Sequence, residues 1–447
     1  MKKAALHNLG CKVNGYETEA MQEMLTKHGY EIVPFQEKAD LYIVNTCTVT
    51  NMADRKSRQM LHRARKKNPE AVVVACGCYV QAKQGELDES VDIVIGNNRK
   101  KDLIEILKSY EDAQPRREED AARQEHQGEE PADTRNRRRE LIDISRVREY
   151  EEMELSSAAE HTRAYVKVQD GCNQFCSYCI IPYARGRVRS RSRDSVVREV
   201  RQLSGNGYKE VVLTGIHLSS YGIDTGDSLL GLIAAVHEIP GIRRIRLGSL
   251  EPGIITEEFA GAIAKLPRVC PHFHLSLQSG CDATLKRMNR RYTSKEYEEK
   301  CALLRRFYDR PALTTDVIVG FPGETWEEFA QSKEFIDRMD FYETHVFKYS
   351  KRTGTKAAGM ENQVAEDIKN ARSSELIALG DRKRASYEET LIGTVQEVLI
   401  EEEIRRGTDW YQVGHTREYV KVGQKMSENR VNEIVNVEIK NRLQIIH

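Results

Sequence analysis

Short apolar runs alternate with amphipathic stretches over residues 1–110. The alternation predicts helices from about Gly15 to His28 and from about Met52 to Lys67, and another that ends near Tyr110. The apolar runs predict four buried strands, Ala4–Leu9, Leu41–Val44, Val72–Ala75 and Val91–Ile95. Because strands that alternate with helices favour a parallel sheet, this region is predicted to be a doubly wound α/β domain.

The first helix of this domain has recognisable end signals. Asn14 with Glu17 three residues later predicts a capping box at its start, and Gly29 predicts its end.

The same alternation returns over residues 161–380. Its apolar runs predict six strands, Ala164–Gln169, Glu210–Thr214, Arg243–Leu247, His272–Leu277, Thr315–Val319 and Glu343–Tyr349. Thr325 with Glu328 predicts a capping box for one of the helices between them. Six strand–helix units predict a partial (β/α)6 barrel that is open at one side.

Two other regions break the pattern. Residues 111–160 are rich in Glu, Arg, Gln and Ala, which predicts a charged, mobile linker. Its run Arg137-Arg138-Arg139 is interpreted as a solvated charge cluster rather than an RNA contact. Residues 381–447 carry short β-branched runs separated by Gly and charged residues, which predicts a small antiparallel β-barrel. The predicted strands there are Thr394–Ile400, Tyr419–Val422 and Val431–Ile439.

Composition narrows the class of protein. The chain has 447 residues, which suggests about three domains, and its formal net charge is zero, so only local patches could attract nucleic acid. No secretory signal follows Met1-Lys2-Lys3, and no apolar run reaches the ~20 residues of a membrane span. We therefore expect a cytoplasmic protein whose ten cysteines are metal ligands or catalytic groups rather than disulfides.

Cys172, Cys176 and Cys179 form a C-x3-C-x2-C motif just after the first predicted barrel strand. Cysteine thiolates hold iron–sulfur clusters, and three of them leave one iron of a 4Fe–4S cube open. An open iron can chelate the amine and carboxylate of S-adenosylmethionine, and an electron can then release a 5′-deoxyadenosyl radical. We expect the ring of Tyr178 to pack on the adenine of that cofactor.

A structural zinc site is the alternative for this motif. Zinc sites favour pairs of cysteines completed by a second pair or by histidines. The triplet stands alone and no histidine follows closely, so an iron–sulfur cluster is favoured.

Cys11, Cys47 and Cys78 each come just after a predicted strand of the first domain. The carboxyl ends of parallel strands share one edge of a sheet, so the three thiols could meet and hold a second cluster. Buried thiols without ligands are the alternative. Cys76 is a rival for the third ligand; Cys78 is preferred because the turn after Gly77 is expected to expose its side chain.

Three further stretches end predicted barrel strands on the edge that carries the triplet. Loops at the carboxyl ends of barrel strands form binding sites, and glycine allows a ligand to approach the backbone closely. These stretches predict a cofactor pocket that contains Thr214, Gly215, Gln278, Asp316 and Gly320.

Together, the cysteine motifs resemble the radical SAM methylthiotransferases. Cys11 lies in Leu-Gly-Cys-Lys-Val-Asn, Cys47 in Asn-Thr-Cys-Thr-Val-Thr and Cys78 in Gly-Cys-Tyr-Val-Gln, and Cys172, Cys176 and Cys179 match the radical SAM triplet. The resemblance implies two 4Fe–4S clusters, a radical SAM barrel and a C-terminal TRAM-like domain. It also implies two molecules of S-adenosylmethionine, one that methylates a sulfur and one that is cleaved to a radical.

Two stretches, Cys179–Arg187 and Thr214–Gly222, are similar to those of the family members that act on N6-threonylcarbamoyladenosine at position 37 of tRNA. This implies the tRNA anticodon loop as partner and an electron donor such as flavodoxin or ferredoxin; it identifies no sulfur donor. The alternatives are N6-isopentenyladenosine in tRNA or a ribosomal protein as substrate. From another class, the alternative is a non-enzymatic iron–sulfur redox sensor that binds RNA.

Two basic stretches are candidates for RNA contact. Arg185, Arg187, Arg189, Arg191 and Arg193 alternate, so in an extended segment their guanidiniums would share one face. The predicted helix after Cys47 carries a second set, Arg55, Lys56, Arg58, Arg63, Arg65, Lys66 and Lys67. The alternative for both is an ordinary solvated surface.

Overall fold

The computed structural model describes residues 1–84, 89–113, 138–156, 162–425 and 428–446. The chain divides into two compact units. The first comprises Met1–Ser157, Asp170–Gln174 and Cys179–Arg189, and the second comprises Ala158–Gln169, Phe175–Tyr178 and Ser190–His447.

Six parallel strands form the sheet of the first unit, in the order β2-β1-β3-β4-β5-β6 among the described residues. They are β1 (Lys3–Asn8), β2 (Glu31–Ile32), β3 (Leu41–Thr46), β4 (Val72–Gly77), β5 (Ile93–Ile95) and β6 (Arg138–Glu140). The helices are α1 (Lys12–Lys27), α2 (Asn51–Lys67), α3 (Cys78–Lys83), α4, which includes residues 103–113, and α5 (Ile181–Arg185). The predicted doubly wound α/β fold is confirmed.

The start of α1 differs from the prediction. The helix begins at Lys12, and Asn14 lies inside it rather than capping it. The Asn14 amide is buried and donates to the carbonyl oxygens of Leu9 at 2.8 Å and Thr46 at 3.0 Å, at the ends of two strands. The predicted capping box is therefore wrong, because that side chain joins the helix to the sheet.

The predicted linker, residues 111–160, lies partly outside the described residues, which do not include Arg137. Its described part, residues 138–156, contributes β6, which pairs with β5 at the edge of the sheet, and buries Ile144, Met153 and Leu155. The prediction of a mobile linker is wrong for this part. A three-residue strand of Arg, Arg and Glu has no apolar pattern that would indicate it.

The second unit contains the six predicted barrel strands. They are β7 (Arg163–Asp170), β9 (Glu210–Gly215), β10 (Arg244–Leu247), β11 (His272–His274), β12 (Ala312–Val319) and β13 (Glu343–Lys348), with β8 (Arg189–Ser190) as an outer strand beside β7. The pairs β7–β9, β9–β10, β11–β12 and β12–β13 are parallel, and a parallel bridge between Leu250 and Leu275 joins the two halves. The predicted partial barrel is confirmed.

Helices surround these strands. They are α6 (Arg193–Gly205), α7 (Leu229–His237), α8 (Glu257–Ala264), α9 (Asp282–Arg287), α10 (Ser294–Phe307), α11 (Trp326–Met339) and α12 (Glu366–Glu389). The capping box of Thr325 and Glu328 begins α11 as predicted. Within the described ranges, none of the helices is both long enough and apolar enough to span a bilayer.

Four antiparallel strands form a C-terminal half-barrel, in the order β16-β15-β14-β17. They are β14 (Val395–Arg406), β15 (Asp409–Thr416), β16 (Lys421–Gln424) and β17 (Ile434–Glu438). The predicted antiparallel fold is confirmed. The sequence missed β15, because its residues lack the β-branched run that marked the other strands.

A buried charge cluster attaches this half-barrel to the barrel. Glu210, the first residue of β9, accepts from Arg246 at 2.9 Å, and Arg244 donates to the Glu397 carbonyl at 2.6 Å. The Arg246 guanidinium lies 4.6 Å from the centre of the Tyr419 ring. Burial alone would raise the pKa of Glu210, but Arg246 and its neighbouring arginines outweigh it and lower that pKa. The half-barrel thus contacts the amino ends of β9 and β10, opposite the carboxyl ends that carry the predicted pocket.

Candidate cluster and cofactor sites

The loop that carries Cys172, Cys176 and Cys179 begins at a position that requires glycine. Gly171 has φ of +71°, and a Cβ there would lie 1.8 Å from the carbonyl oxygen of Arg187. The backbone N–H of Cys172 donates to the Gly186 carbonyl at 3.0 Å. Any side chain at position 171 would force these two segments apart, so the loop depends on this glycine for its turn at the end of β7.

The segment around Cys176 is held by polar contacts within the second unit. The backbone N–H of Ser177 donates to the carbonyl oxygen of Met288 at 3.0 Å, and the Ser177 carbonyl accepts from the backbone N–H of Ala357 at 2.7 Å. Arg290 donates from Nη1 to the Sγ of Cys176 at 3.2 Å. A buried guanidinium therefore faces one thiol of the triplet, which suits a thiolate.

Arg290 belongs to a network that the sequence did not reveal. Its Nη2 lies 3.6 Å from a carboxylate oxygen of Glu251, and the other oxygen of that carboxylate is hydrogen-bonded to His217 Nε2 at 2.7 Å. The backbone N–H of His217 donates to the Gln169 side-chain oxygen at 2.7 Å. Burial would raise the pKa of Glu251, but the His217 hydrogen bond and the charge of Arg290 lower it. Arg290 and Glu251 have no motif spacing relative to the triplet, so only the structure identifies them.

The three cysteines of the first unit lie at one edge of its sheet. Cys11 immediately precedes α1, Cys47 follows β3, and Cys78 is the first residue of α3 after β4. Their strands are neighbours, with Asn8 opposite Asn45 and Thr46 opposite Gly77. A Cβ on Gly10 would lie 3.0 Å from the Sγ of Cys47, so the loops of Cys11 and Cys47 are in contact.

The thiols of this set influence one another. Burial raises the pKa of the Cys47 thiol to about 11, and the neighbouring charges of Cys78 and Cys11 add to that rise. Cys11 is the exposed member of the set, and the charge of Arg185 acts on its thiol. Three thiols at one edge of the sheet meet the donor requirement of a 4Fe–4S cluster.

Cys76, the rival third ligand, is oriented differently. It lies inside β4, fully buried, and its Sγ–H points to the Val44 carbonyl at 3.7 Å. Burial raises its pKa to about 12. The expectation that a turn exposes Cys78 is wrong, because Cys78 is itself 96% buried at the start of α3. Its Sγ nevertheless accepts from Arg185 Nε at 3.2 Å and lies near Cys11 and Cys47, so Cys78 stays the proposed ligand.

A single metal ion is a poor match for this set. In the described part of the chain, Cys11, Cys47 and Cys78 do not form a group whose ligand atoms all lie within 4.8 Å of one another. Zinc–sulfur bonds of about 2.3 Å would bring the three sulfurs well inside that limit. A cluster places each thiolate on a separate iron, so wider spacing fits it.

The predicted cofactor loops lie at strand ends of the second unit. Thr214 is buried, and a Cβ on Gly215 would lie 2.8 Å from the Gln169 side chain. Gly320 has φ of +69°, and a Cβ there would meet the Lys369 side chain at 2.3 Å. The backbone of Gln278 is in the left-handed region with φ of +70°. Its N–H donates to the Asp316 carbonyl at 2.8 Å and its carbonyl accepts from the Ile318 N–H at 2.9 Å, both in β12. The space beside Gly215 and Gly320 is thus filled by the side chains of Gln169 and Lys369. Cofactor binding by these loops stays a prediction.

Tyr178 and Asp316 have protein neighbours of their own. The half-buried ring of Tyr178 stands edge-on to Phe321, with 6.3 Å between ring centres. Asp316 Oδ2 lies 3.3 Å from His274 Nε2, and His345 completes a group of three possible ligands. Binding of S-adenosylmethionine by these two residues stays a prediction.

The predicted row of five exposed guanidiniums is wrong. Arg185, Arg189 and Arg191 are 0%, 0% and 1% exposed, while Arg187 and Arg193 face solvent. Arg191 pairs with Glu199 at 2.7 Å, and Arg189 lies 3.7 Å from Asp170. The segment is not one extended strand, since α5 ends at Arg185 and β8 has only two residues. RNA contact by Arg185, Arg189 and Arg191 is therefore excluded in this conformation.

Helix α2 keeps much of its predicted charge at the surface. Arg65 instead forms an ion pair with Asp92, and the buried carboxylate of Asp54 accepts a hydrogen bond from the Thr48 hydroxyl. The α2 basic face consists of Arg55, Lys56, Arg63 and Lys66, which are all exposed. None of these four has a carboxylate partner among the described residues, so the face can take anions from solution.

Two regions of the chain match models of known protein families, and the whole chain is similar to several known proteins. Residues 3–96 match a family model described as uncharacterized protein family UPF0004, and residues 166–336 match the radical SAM superfamily. The chain is 41% identical to threonylcarbamoyladenosine tRNA methylthiotransferase MtaB of Bacillus subtilis (strain 168), over 98% of the chain and 94% of that protein. The corresponding MtaB of Thermotoga maritima is 34% identical over 98% of the chain and 95% of the relative.

Two further proteins are similar to this chain but differ in what their similarity supports. A tRNA-2-methylthio-N(6)-dimethylallyladenosine synthase of Acetivibrio thermocellus is 35% identical over 98% of the chain and 88% of that protein. The solved structure of the radical S-adenosylmethionine methyltransferase TsrM from Kitasatospora setae, with cobalamin and a [4Fe-4S] cluster bound, aligns with a TM-score of 0.56. It is 17% identical and covers 78% of this chain and 75% of its own, so it supports the fold alone.

Proposed function

Because this chain belongs to the radical SAM tRNA methylthiotransferase family, we propose that it places a methylthio group on C2 of N6-threonylcarbamoyladenosine at position 37 of tRNA. The observation that carries this substrate is the match over 92–98% of the chain to three MtaB relatives at 34–41% identity. The relative that acts on dimethylallyladenosine, at 35% identity, makes that nucleoside the substrate to be excluded. A tRNA substrate also implies a cytoplasmic enzyme.

Membership of the radical SAM family implies S-adenosylmethionine and a 4Fe–4S cluster. We assign that cluster to Cys172, Cys176 and Cys179, and a second one to Cys11, Cys47 and Cys78. When bound, the clusters and two molecules of S-adenosylmethionine supply a radical that removes the C2 hydrogen and a methylated sulfur that replaces it. The C2–H bond is unactivated, so acid–base chemistry by side chains could not readily do this.

The protein's own residues bind and orient these groups. Arg290 donates to the Cys176 sulfur. Gly215 and Gly320 leave room at the strand ends for the side chains of Gln169 and Lys369. Tyr178 provides a half-buried aromatic ring beside the triplet for the adenine. An electron donor of the flavodoxin or ferredoxin class would deliver the electron.

The reaction can be tested with two RNA substrates. Protein reconstituted with iron and sulfide is given dithionite, S-adenosylmethionine and tRNA that carries either threonylcarbamoyladenosine or isopentenyladenosine. We expect methylthiolation of the first alone. Product on the second alone would contradict the substrate, and absence of 5′-deoxyadenosine would favour the redox-sensor alternative.

We predict that the α2 basic face binds the tRNA backbone. In the C-terminal half-barrel, Lys421, Lys425, Arg430 and Lys440 each pair with a carboxylate, whereas the four cations of α2 have none in the described residues. Each lost phosphate contact should lower the salt slope of binding by roughly one unit. The measurement is tRNA affinity against salt for the variant with Arg55, Lys56, Arg63 and Lys66 all replaced by alanine.

The matched control replaces Lys421, Lys425, Arg430 and Lys440 by alanine, which removes the same charge from the half-barrel. An unchanged slope in the α2 variant together with a reduced slope in this control would move the binding surface to the half-barrel.

A further inference from the structure

We propose that Arg185 is a positioning residue that holds Cys78 for the second cluster and raises the reduction potential of that cluster. The inference rests on the proposed function, in which Cys78 is a cluster ligand. Arg185 follows the triplet closely in sequence, yet its side chain is buried among residues of α1, the start of α3 and the end of β7 rather than in solvent.

Every nitrogen of the Arg185 guanidinium has a partner. Nε donates to Cys78 Sγ at 3.2 Å, Nη1 to Glu17 at 2.8 Å and to both oxygens of Asp170 at 3.1 Å, and Nη2 to Asn14 at 2.5 Å and to Glu17 at 3.1 Å. The side chain is fully buried. A rigid fork of five donors can satisfy these directions at once, and no other side chain offers that geometry.

The partners of Arg185 connect the two cysteine sets. Asp170 lies just before Cys172 in the chain, and Arg185 lies just after Cys179. The same guanidinium therefore binds the start of the triplet loop and the sulfur of Cys78. A shift of either segment would break hydrogen bonds to a buried charge, which is costly.

The charges around Cys78 explain why a cation is needed there. Glu17 and Asp170 are buried carboxylates. Besides Arg185, the buried cations paired with them include Lys100, at 2.8 Å from Glu17, and Arg189, at 3.7 Å from Asp170. A Cys78 thiolate adds a third negative charge. Reduction of a cluster adds another, so a guanidinium on a ligand sulfur favours the reduced state and raises the potential.

The triplet has a comparable contact. Arg290 Nη1 donates to Cys176 Sγ at 3.2 Å, the same distance as between Arg185 and Cys78. Each cysteine set thus has one thiol that accepts from a buried arginine. Two independent cases in two units make a chance contact a poor explanation for Arg185.

The test measures a potential, because a merely structural arginine would not move one. The background variant carries Cys172, Cys176 and Cys179 replaced by alanine, so that only the second cluster gives a signal in an EPR-monitored redox titration. Into it we place Arg185→Gln and Arg185→Lys. Arg185→Gln should lower the midpoint by about 59 mV, which is a tenfold change in the ratio of reduced to oxidised cluster for one electron. Arg185→Lys should give an intermediate value, since it keeps the charge and loses the fork.

Arg189 offers a matched control. It is equally buried and lies beside the same Asp170, but its described hydrogen bond goes to the Arg187 carbonyl at 2.9 Å and not to Cys78. Arg189→Gln should leave the potential unchanged.

A wild-type potential in Arg185→Gln with iron intact overturns the inference, and so does an equal fall in Arg189→Gln. If Arg185→Gln fails to fold, Arg185→Lys decides, and a wild-type potential there overturns the inference. Absence of iron from the background variant would instead remove the second cluster and contradict the proposed function itself.

Discussion

We expect the protein with Cys172, Cys176 and Cys179 replaced by alanine to form no 5′-deoxyadenosine and to bind about half of the wild-type iron. Two 4Fe–4S clusters give about eight irons per chain, and this variant should keep about four. The reason is that these thiols occupy one short loop, fixed at its start by Gly171 and in its middle by Ser177 and Arg290. Iron content and 5′-deoxyadenosine released with dithionite and S-adenosylmethionine are the two measurements.

Cys281→Ala is the control for loss of a buried thiol. Cys281 lies before α9, and its Sγ–H points to Gln331 at 3.3 Å, with no role in either cysteine set. It should keep full iron and full 5′-deoxyadenosine. Continued 5′-deoxyadenosine formation by the triple variant would show that cofactor cleavage takes place elsewhere.

The second large effect separates radical formation from sulfur transfer. With Cys11, Cys47 and Cys78 replaced by alanine, the protein should again keep about half of its iron but still form 5′-deoxyadenosine. Methylthiolation of tRNA should be abolished, because the sulfur that is transferred would have no cluster to hold it. Product nucleosides and 5′-deoxyadenosine measured in one reaction give both results.

Cys76→Ala is the matched control, two positions from Cys78. Because the Cys76 sulfur turns into the sheet toward Val44, its loss should leave iron and methylthiolation intact. If Cys76→Ala loses half of the iron while Cys78→Ala keeps it, the assigned ligand is wrong.

The sequence predicts most of the fold because apolar runs mark most of the strands, and the alternation of strands and helices locates others such as β10 and β13. All four strands predicted in the first domain and all six of the barrel are present. It fails where an element has no such run, as in β6 and β15. It also misplaces the start of α1, since Asn14 uses its amide for Leu9 and Thr46, contacts that no local pattern encodes.

The candidate site divides in a similar way. The spacing of Cys172, Cys176 and Cys179 is local, and the strand ends that carry Cys11, Cys47 and Cys78 follow from the order of elements. The environment of each arginine cannot be predicted from local spacing or from the order of elements. Arg185 belongs to a series of alternating arginines that the sequence predicts to be exposed. Its partners Glu17 and Asn14 are distant in the sequence, and only folding brings them close to it.

The most direct test of the central claim is the tRNA of a host that makes N6-threonylcarbamoyladenosine without the 2-methylthio group. This chain is expressed there, and the tRNA nucleosides are analysed by mass spectrometry. We predict that 2-methylthio-N6-threonylcarbamoyladenosine accumulates with the wild-type chain and is absent with the Cys11, Cys47 and Cys78 variant. A host whose threonylcarbamoyladenosine stays unmodified, or whose isopentenyladenosine alone gains the group, would contradict the proposed function.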